Sequence, residues 1–556
     1  MTELTNQLKT LLNDRKIAQV SNLILNDETM KNIIENPWDI VPIITEHLNG
    51  KVEQSEPDFF LSCQSLLIQI CEKLQPDDAL LVLIKEIETI PQDSTLVILL
   101  VPLLKALLGV LSTKRINYLA WCLNAIQVYI DELPTPDNLN LEEEEKLMMD
   151  ADPTVARISN LYQDVFSFYE VVHEKVMDVN SGDLKEILLR NYLQLLGKPL
   201  VFLDMHLENK PKSKARMVAE RIVNKILEID SNIYGFFKND FIKNHEDVRI
   251  RILSLSTLFY LCLGEDYGCN RIPCVYDNVY IFQNSLRFIV KLFEYDNQFI
   301  IEKGLKLSQN LLLKTKNLTF NYHLLDSIYH CKFCQNLSTI IIYNPLEIYR
   351  KTGLEIFKNY LYRFDDRGRY LLISNIKRTI NNTSLNAYIT TQYKEMLVEQ
   401  LDKKSIISEY FKDIKLRSLL RGFCRLEHGI ETDLIKEADQ IIAALNLLRY
   451  LALRDKENVT NFWGYCIKEI ENNFLVPLQT ALSISRAHYE LKLKEITSEN
   501  AHGDKLNNDS EVSVSIGGKN LPELTSGEKV KVINSSLTAF DVIESLLCRV
   551  NECLGL

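Results

Sequence analysis

The sequence contains few glycine and proline residues, 18 and 15 respectively among 556. Together they make up about 6% of the chain, whereas average proteins contain about 12%. Turn-rich β folds and glycine-loop nucleotide-binding folds need more of both residues than this. The shortage therefore indicates helices joined by short loops.

Long hydrophobic runs are also lacking. The longest, residues 96–104, is interrupted by Pro102 and falls short of the roughly 20 apolar residues that cross a membrane. The first residues show neither a signal-peptide core nor a transit-peptide composition. The 12 cysteines are scattered without the spacing of a secreted disulfide framework. We therefore expect no membrane association and a reducing compartment, the cytoplasm and also the nucleus.

A basic excess is absent as well. The chain has 63 basic and 75 acidic residues, which gives a net charge of −12. Proteins that hold nucleic acid through its phosphates normally carry a basic excess, so this balance argues against a nucleic-acid partner. The hydrophobic content of 46% is that of a folded protein and excludes disorder over most of the length.

What the sequence does contain is helical periodicity. Apolar residues recur at positions i, i+3, i+4 and i+7, as in Ile441, Leu445, Leu448 and Ala452. The apolar stripes are wider than a coiled-coil seam, so each helix needs neighbours on two sides. Three apolar runs, at 35–48, 94–108 and 470–482, carry a proline, which suits a first helical turn or a kink. We predict an all-α, irregular HEAT/armadillo-like α-solenoid with at most one short hairpin near 513–522; a non-repeating helical bundle is the alternative.

Catalytic motifs are missing: the sequence has no phosphate-binding loop, no nucleophile elbow and no zinc-protease motif. The best chemical candidate is His330-Cys331-x-x-Cys334, with His323 seven residues earlier. This spacing suits a metal or a redox pair, but a structural zinc site needs a fourth ligand and no second pair follows. The alternative interpretation is that these thiols belong to the core. We predict that the protein is not an enzyme and uses no cofactor or metal.

A protein-binding surface is the remaining possibility, because helical solenoids without catalytic groups commonly bind other proteins. Residues 453–463 concentrate charges of both signs, two asparagines and the pair Phe462-Trp463. This is the composition of an interface loop with exposed aromatic residues. The alternative is an ordinary turn between helices, with Trp463 packed into the next core layer.

From residue 429 onward the sequence resembles the glomulin family of HEAT-like regulators of cullin–RING ubiquitin ligases. The residues that carry the resemblance are ETDLIKEADQIIAALNLLRYLALRDKEN (431–458), IENNFLVPLQTALSISRAHYE (470–490), SVSIGGKNLPEL (513–524) and LTAFDVIESLLCRV (537–550). Weaker similarity continues upstream at 344–370, 302–314 and 37–48. The C-terminal resemblance rests on polar residues such as Asn446, Asn472 and Arg486 as well as on core leucines.

The resemblance implies an inhibitor that binds proteins. Its C-terminal repeats would bind the RING-box subunit of cullin–RING ligases and mask the surface where the ubiquitin-conjugating enzyme docks. Immunophilin binding is also implied, by parts that this sequence matches poorly. We accordingly divide the chain into an N-terminal helical region, 1–280, and a C-terminal HEAT-like region, 281–556, that carries the RING-binding surface. A generic armadillo/HEAT adaptor that binds peptides in its groove is the alternative, and a zinc-dependent or redox enzyme is a third.

Polar residues in and beside the turns between helices have no evident core role and are the predicted partner-binding residues: Arg454, Lys456, Glu457, Asn458, Arg486, His488 and Tyr489. The first four follow the apolar stripe of a helix over 440–453, so their side chains should face solvent. The other three lie on a helix over 472–495, in which we expect Ala487 and Leu491 to face inward. Successive turns of stacked repeats line up, so both groups could form one ridge.

Overall fold

A computed structural model describes residues 2–24, 26–90, 92–111, 116–136, 141, 144–145, 148–207, 211–238, 251–402, 407–502, 515–516, 519–520 and 526–556. The chain forms two compact units. The first consists of Met1–Thr315 with Pro345–Thr352, and the second of Lys316–Asn344 with Gly353–Leu556. The division at residue 280 was drawn from the strength of the resemblance and stays a prediction.

Helices dominate the described part of both units. In chain order the α-helices are α1 (Thr2–Asn13), α2 (Ile17–Ile24), α3 (Asp27–Glu35), α4 (Pro37–Thr45), α5 (Gly50–Ser55), α6 (Pro57–Lys73), α7 (Pro76–Ile87), α8 (Asp93–Leu111), α9 (Ile116–Asp131), α10 (Pro153–Val179), α11 (Gly182–Leu195), α12 (Lys214–Ile229), α13 (Ile252–Phe259), α14 (Asn278–Phe293), α15 (Gln298–Leu313), α16 (Ile328–Tyr343), α17 (Glu347–Arg363), α18 (Asp366–Thr379), α19 (Thr383–Asp402), α20 (Asp413–Phe423), α21 (Ala438–Arg454), α22 (Phe462–Tyr465), α23 (Ile467–Ile470), α24 (Val476–His502) and α25 (Ser526–Leu554).

Shorter helical turns connect them. Those of 3₁₀ type are Met149–Ala151, Leu200–Phe202, Ile233–Phe237, Tyr322–Asp326, Glu409–Phe411 and Gly429–Glu431; those of π type are Tyr260–Gly264 and Glu471–Leu475.

The sequence fixes where many helices begin. Pro37, Pro57, Pro76 and Pro153 each start a helix, where the missing backbone N–H costs nothing. Side-chain caps supply other starts: the carboxylate of Asp152 accepts hydrogen bonds from the backbone N–H groups at 154 and 155, at 2.9 and 3.1 Å. Helix boundaries are therefore set locally.

In the first unit, helices near in sequence pack on one another. Helix α8 contacts α6, α7, α9 and α10, while α11 contacts α9, α12 and α13, and α14 lies between α13 and α15. Contacts made mainly between helices that are near in sequence are typical of stacked helical repeats. The second unit is built in the same way: α21 packs on α19 and on α25, and α24 also packs on α25. The packing in both units confirms the predicted all-α repeat class.

Helix α8 is longer than the apolar run 96–104 noted in the sequence, because the helix continues through Pro102 to Leu111. Among the described residues it is the one helix long and apolar enough to cross a membrane by length and composition. Leu96, Leu99, Leu103 and Leu107 on it are completely buried within the first unit. This burial is the pattern of a central core helix.

One short hairpin interrupts the helices. The strands Ser515–Ile516 and Lys519–Asn520 pair antiparallel, with Ser515 opposite Asn520 and Ile516 opposite Lys519. This agrees with the hairpin predicted near 513–522. The remaining residues of that prediction, 513–514, 517–518 and 521–522, lie outside the described residues.

Candidate functional site: the surface of the C-terminal helices

The turn after α21 is organised by a buried carboxylate. Asp455 is 1% exposed, and its side chain accepts hydrogen bonds from the backbone N–H of Val459 at 2.7 Å and of Thr460 at 3.1 Å. It also accepts one from the Thr460 hydroxyl. Charge-assisted hydrogen bonds of this kind are stronger than neutral ones. The turn is therefore a fixed element of the fold.

Asn458 belongs to this turn as a structural residue. Its φ of 54° lies in the left-handed region that asparagine tolerates. Its Oδ1 accepts a hydrogen bond from the backbone N–H of Trp463, in the first turn of α22, at 3.0 Å. The expectation that Asn458 has no role in the fold is therefore wrong, although whether it also touches a partner remains a prediction.

The interpretation of Phe462 and Trp463 as an exposed aromatic pair is also wrong. Phe462 is fully buried, and Trp463 is half-buried with its ring edge-to-face against Phe462 at 5.8 Å between centroids. The alternative, an ordinary turn with Trp463 packed into the core, is correct only in part, because the fully buried ring is that of Phe462 and Trp463 is half-buried. Apolar exposure in the turn comes instead from Leu453 and Val459, at 48% and 53%.

Three of the predicted turn residues are at the surface. Lys456 and Glu457 are exposed, as expected. Arg454 is exposed as well, and its guanidinium donates a hydrogen bond of 2.6 Å to Asp402 at the end of α19. Both side chains of this ion pair are at least half exposed, so water and salt screen it and it adds little to stability.

Helix α24 holds the second predicted group. Arg486 forms ion pairs of 2.7 Å with both Asp541 and Glu544 of α25. The Tyr489 ring packs edge-to-face on Phe540 of α25 at 5.4 Å, and burial raises the pKa of its hydroxyl. His488 is exposed beside them. Arg486 and Tyr489 therefore clamp α24 to α25.

The expected inward residues of α24 face outward. Ala487 is exposed and Leu491 is 59% exposed, because the helix packs through the opposite side, which carries Leu478 and Leu482. The assignment of Ala487 and Leu491 to the core is wrong. Both share one side of the helix with Val476 and Ile484, at 53% and 54% exposure. Residues 11 apart, such as Val476 and Ala487, and residues 7 apart, such as Ile484 and Leu491, differ by only about 20° around the helix axis at 3.6 residues per turn.

We call these four residues the outer stripe of α24: Val476, Ile484, Ala487 and Leu491. The sequence signal for it was present but ambiguous, because a helix that is apolar on two opposite sides reads as a fully buried helix. Only the position of α25 shows which side is covered. An exposed apolar stripe on a clamped helix is the kind of surface that a partner protein covers.

The His330-Cys331-x-x-Cys334 segment forms no such surface. His330 and Cys334 are buried on α16, and the His330 Nδ1 lies 2.6 Å from the Tyr360 hydroxyl. Cys331 is exposed, and His323 lies on the 3₁₀ turn before α16, near Asp326. Within the part of the chain that the structure describes, no three His, Cys, Asp or Glu side chains are placed to hold a metal ion.

A comparison with protein families matches residues 234–543 to a family described as an uncharacterised protein family, YAP/Alf4/glomulin. This is more than half of the chain. The chain belongs to the YAP/Alf4/glomulin family. Its match includes α21, the turn after it, α24 and most of α25.

Two curated relatives extend the similarity over nearly the whole length. Mouse and human glomulin are each 28% identical over 549 residues, which covers 96% of this chain and 90% of the relative. The resemblance noted at the C-terminal end therefore also holds for the N-terminal unit, where the sequence motifs were sparse. Membership of this family favours protein binding as the role of the chain.

Proposed function

We propose that this protein is a non-catalytic inhibitor of cullin–RING ubiquitin ligases. Its C-terminal surface would bind the RING-box subunit and block docking of the ubiquitin-conjugating enzyme. Similarity to glomulin over 96% of the chain supports the proposal, and the observation that carries it is the outer stripe of α24. A reducing compartment, the cytoplasm or nucleus, is the proposed location.

The stripe has the properties that steric masking requires. Its three large members are each more than half exposed, while the opposite face of the same helix is held by the Arg486 ion pairs and by the Tyr489–Phe540 ring contact. A surface that is already rigid loses little conformational entropy on binding. Apolar centres surrounded by charged rims are typical of stable protein interfaces.

Charged residues at the turn would supply the rim. Lys456 and Glu457 are exposed, and Arg454 is exposed with a weak ion pair to Asp402. The net charge of −12 would speed association with a RING surface that carries arginines. In this arrangement Arg454, Lys456, Glu457 and His488 are contact residues, whereas Asn458, Arg486 and Tyr489 hold the surface in shape.

A reconstituted ubiquitination reaction tests the proposal. Excess protein should suppress ubiquitin-chain formation by a RING-box ligase and should be recovered unmodified. Equal chain formation with and without the protein would show the proposal to be wrong. A peptide-binding adaptor would behave in that second way.

Substitutions then locate the surface. The pair Ile484→Asp and Leu491→Asp should weaken RING-box binding by at least about 30-fold, since truncating or charging a true hot spot costs roughly 2 kcal/mol or more. Ile414→Asp is the matched control, because Ile414 is 72% exposed on α20 of the same unit. Arg454→Glu with Lys456→Glu should reduce the association rate more than it affects dissociation. Normal binding by the stripe variant, with normal thermal stability, would move the site elsewhere.

A further inference from the structure

The second unit contains a polar cavity apart from the α24–α25 surface. It has a volume of about 540 Å³ and lies among the end of α18, the start of α19, the end of α20 with the segment after it, and the start of α21. Its charged lining residues are Lys377, Arg378, Arg421, Arg425, Glu427 and Glu437. The volume is that of a small-molecule site, since such sites typically measure about 300–1,000 Å³.

Lys377 is the most unusual of these residues. Its side chain is half-buried and packs against Gly422: a Cβ added to this glycine would lie 3.4 Å from the lysine Cγ. The ammonium group lies 6.0 Å from the centroid of the Phe423 ring, and within the described residues it makes no hydrogen bond. Burial lowers the pKa of this lysine to about 8. A half-buried cation without a hydrogen-bonding partner among the described residues favours an anionic ligand.

Two guanidinium groups strengthen the positive charge of the cavity. Arg425 is exposed and forms no ion pair within the described part of the chain. Among the residues that the structure describes, Arg378 donates only to the neutral side chain of Asn375, at 3.3 Å. The third guanidinium, that of Arg421, is paired with Glu469, a carboxylate that Arg417 also contacts.

The lining carboxylates offset this charge only in part. Burial raises the pKa of Glu437, whose side chain accepts a hydrogen bond from the backbone of Glu427. The Glu427 side chain accepts one from Asn381 at 3.3 Å. The cavity is therefore a site of positive charge in a protein whose net charge is −12.

Two uncharged polar side chains, Gln440 and Asn386, also line the cavity. The amide nitrogen of Gln440 donates to the Phe423 carbonyl oxygen at 2.8 Å, which fixes the orientation of the amide. The amide oxygens of Gln440 and Asn386 are buried and have no hydrogen-bonding partner among the described residues. Such buried acceptors are costly unless a donor reaches them.

We propose that this cavity binds a phosphorylated polyol. The phosphate would lie between Lys377 and Arg425, where an ammonium and a guanidinium can both donate to its oxygens. Ligand hydroxyl groups would donate to the carboxylates of Glu427 and Glu437 in the wall. The described lining contains no aromatic ring on which a nucleobase could stack, which disfavours nucleotides. The same chemistry occurs in free inositol or sugar phosphates and in phosphoinositide headgroups.

Calorimetry with the full-length protein tests the proposal. The probes are inositol hexakisphosphate, glucose 6-phosphate, glucose, inorganic phosphate and ATP, together with phosphatidylcholine vesicles with and without a phosphoinositide. We expect the phosphorylated polyols to bind, glucose not to bind, and phosphate and ATP to bind at least 10-fold more weakly than inositol hexakisphosphate. Binding of the phosphoinositide vesicles but not of the soluble polyols would support the proposal and identify a lipid headgroup as the source.

Variants assign the binding to the cavity. Arg425→Ala and Lys377→Met should each weaken the affinity at least 10-fold, whereas Lys494→Ala, which removes an exposed cation from α24, should leave it within twofold. Circular dichroism and thermal melts establish that each variant is folded. Absence of binding at millimolar polyol phosphate, or equal affinity of the wild type and Arg425→Ala, would overturn the proposal. Neither result bears on inhibition of the ligase, which is measured separately.

Discussion

The indole Nε1 of Trp463 donates a hydrogen bond of 2.9 Å to the backbone carbonyl oxygen of Asp455. Because the Asp455 side chain bonds Val459 and Thr460, this one residue ties the end of α21 to the start of α22 through both its backbone and its carboxylate. The turn between them therefore keeps its shape without a partner. The exposed charges of Lys456 and Glu457 are displayed on a fixed loop.

Replacing the central carboxylate should destabilise the fold. Asp455→Ala leaves the donors at Val459 and Thr460 without their acceptor in a buried site. Lost hydrogen bonds to a buried charged group cost about 2–3 kcal/mol of the free energy of unfolding. Urea denaturation measures this loss, with Lys456→Ala as a neighbouring control that should change stability by less than about 0.5 kcal/mol. An equal effect of both substitutions would contradict the role given to Asp455.

The ring contact should hold α24 to α25 more strongly than the ion pairs do. Phe540 is completely buried, so Phe540→Ala should lower the free energy of unfolding by about 3–5 kcal/mol. Arg486 is 28% exposed, and its acidic partners are more than half exposed, so solvent screens these pairs. Arg486→Ala should therefore cost less than about 1 kcal/mol. If the ion pairs dominated the contact between α24 and α25, thermal denaturation would show Arg486→Ala to be more destabilising than Phe540→Ala.

Packing between α14 and α15 depends on a glycine. A Cβ at Gly304 would lie 2.7 Å from a ring carbon of Phe293 and 3.1 Å from the Leu292 Cβ. Gly304→Ala should therefore destabilise the first unit by about 1–3 kcal/mol, the usual cost of overpacking. Gly182→Ala is the matched control, because nothing lies within 4 Å of its added Cβ at the start of α11. Equal denaturant midpoints for the two variants would contradict this account.

The buried histidine on α16 should make stability depend on pH. Burial lowers the pKa of His330 from 6.5 to about 4, so the folded state binds fewer protons than the unfolded state between these values. The stability that the folded state gains from this difference in proton binding is fully present above pH 6.5 and is lost as the pH falls toward 4. Relative to His330→Leu, the wild type should lose about 2 kcal/mol between pH 7 and pH 5. A difference between the two proteins that does not change with pH would contradict the buried, neutral state of the ring.

Much of the fold follows from local sequence. Helix starts are set by prolines and by side-chain caps such as Asp152, and the stripe of Ile441, Leu445 and Leu448 is buried as its spacing predicts. These features depend on residues a few positions apart, and so periodicity and turn chemistry are sufficient to recognise them. The short hairpin was recognisable for the same reason.

The surfaces depended on which helices became neighbours. Ala487 and Leu491 read as inward residues until α25 is placed against the other side of α24, and Phe462 reads as exposed until the turn folds it into the core. The basic cavity joins residues from α18, α19 and the segment after α20, which no motif connects. Sequence alone determined the helices and their class, because helix formation and core burial are encoded by local periodicity, and it indicated the family through the resemblance of the C-terminal segments. Only the tertiary structure decided which apolar and charged faces remain in contact with water, because that depends on packing between segments distant in the chain.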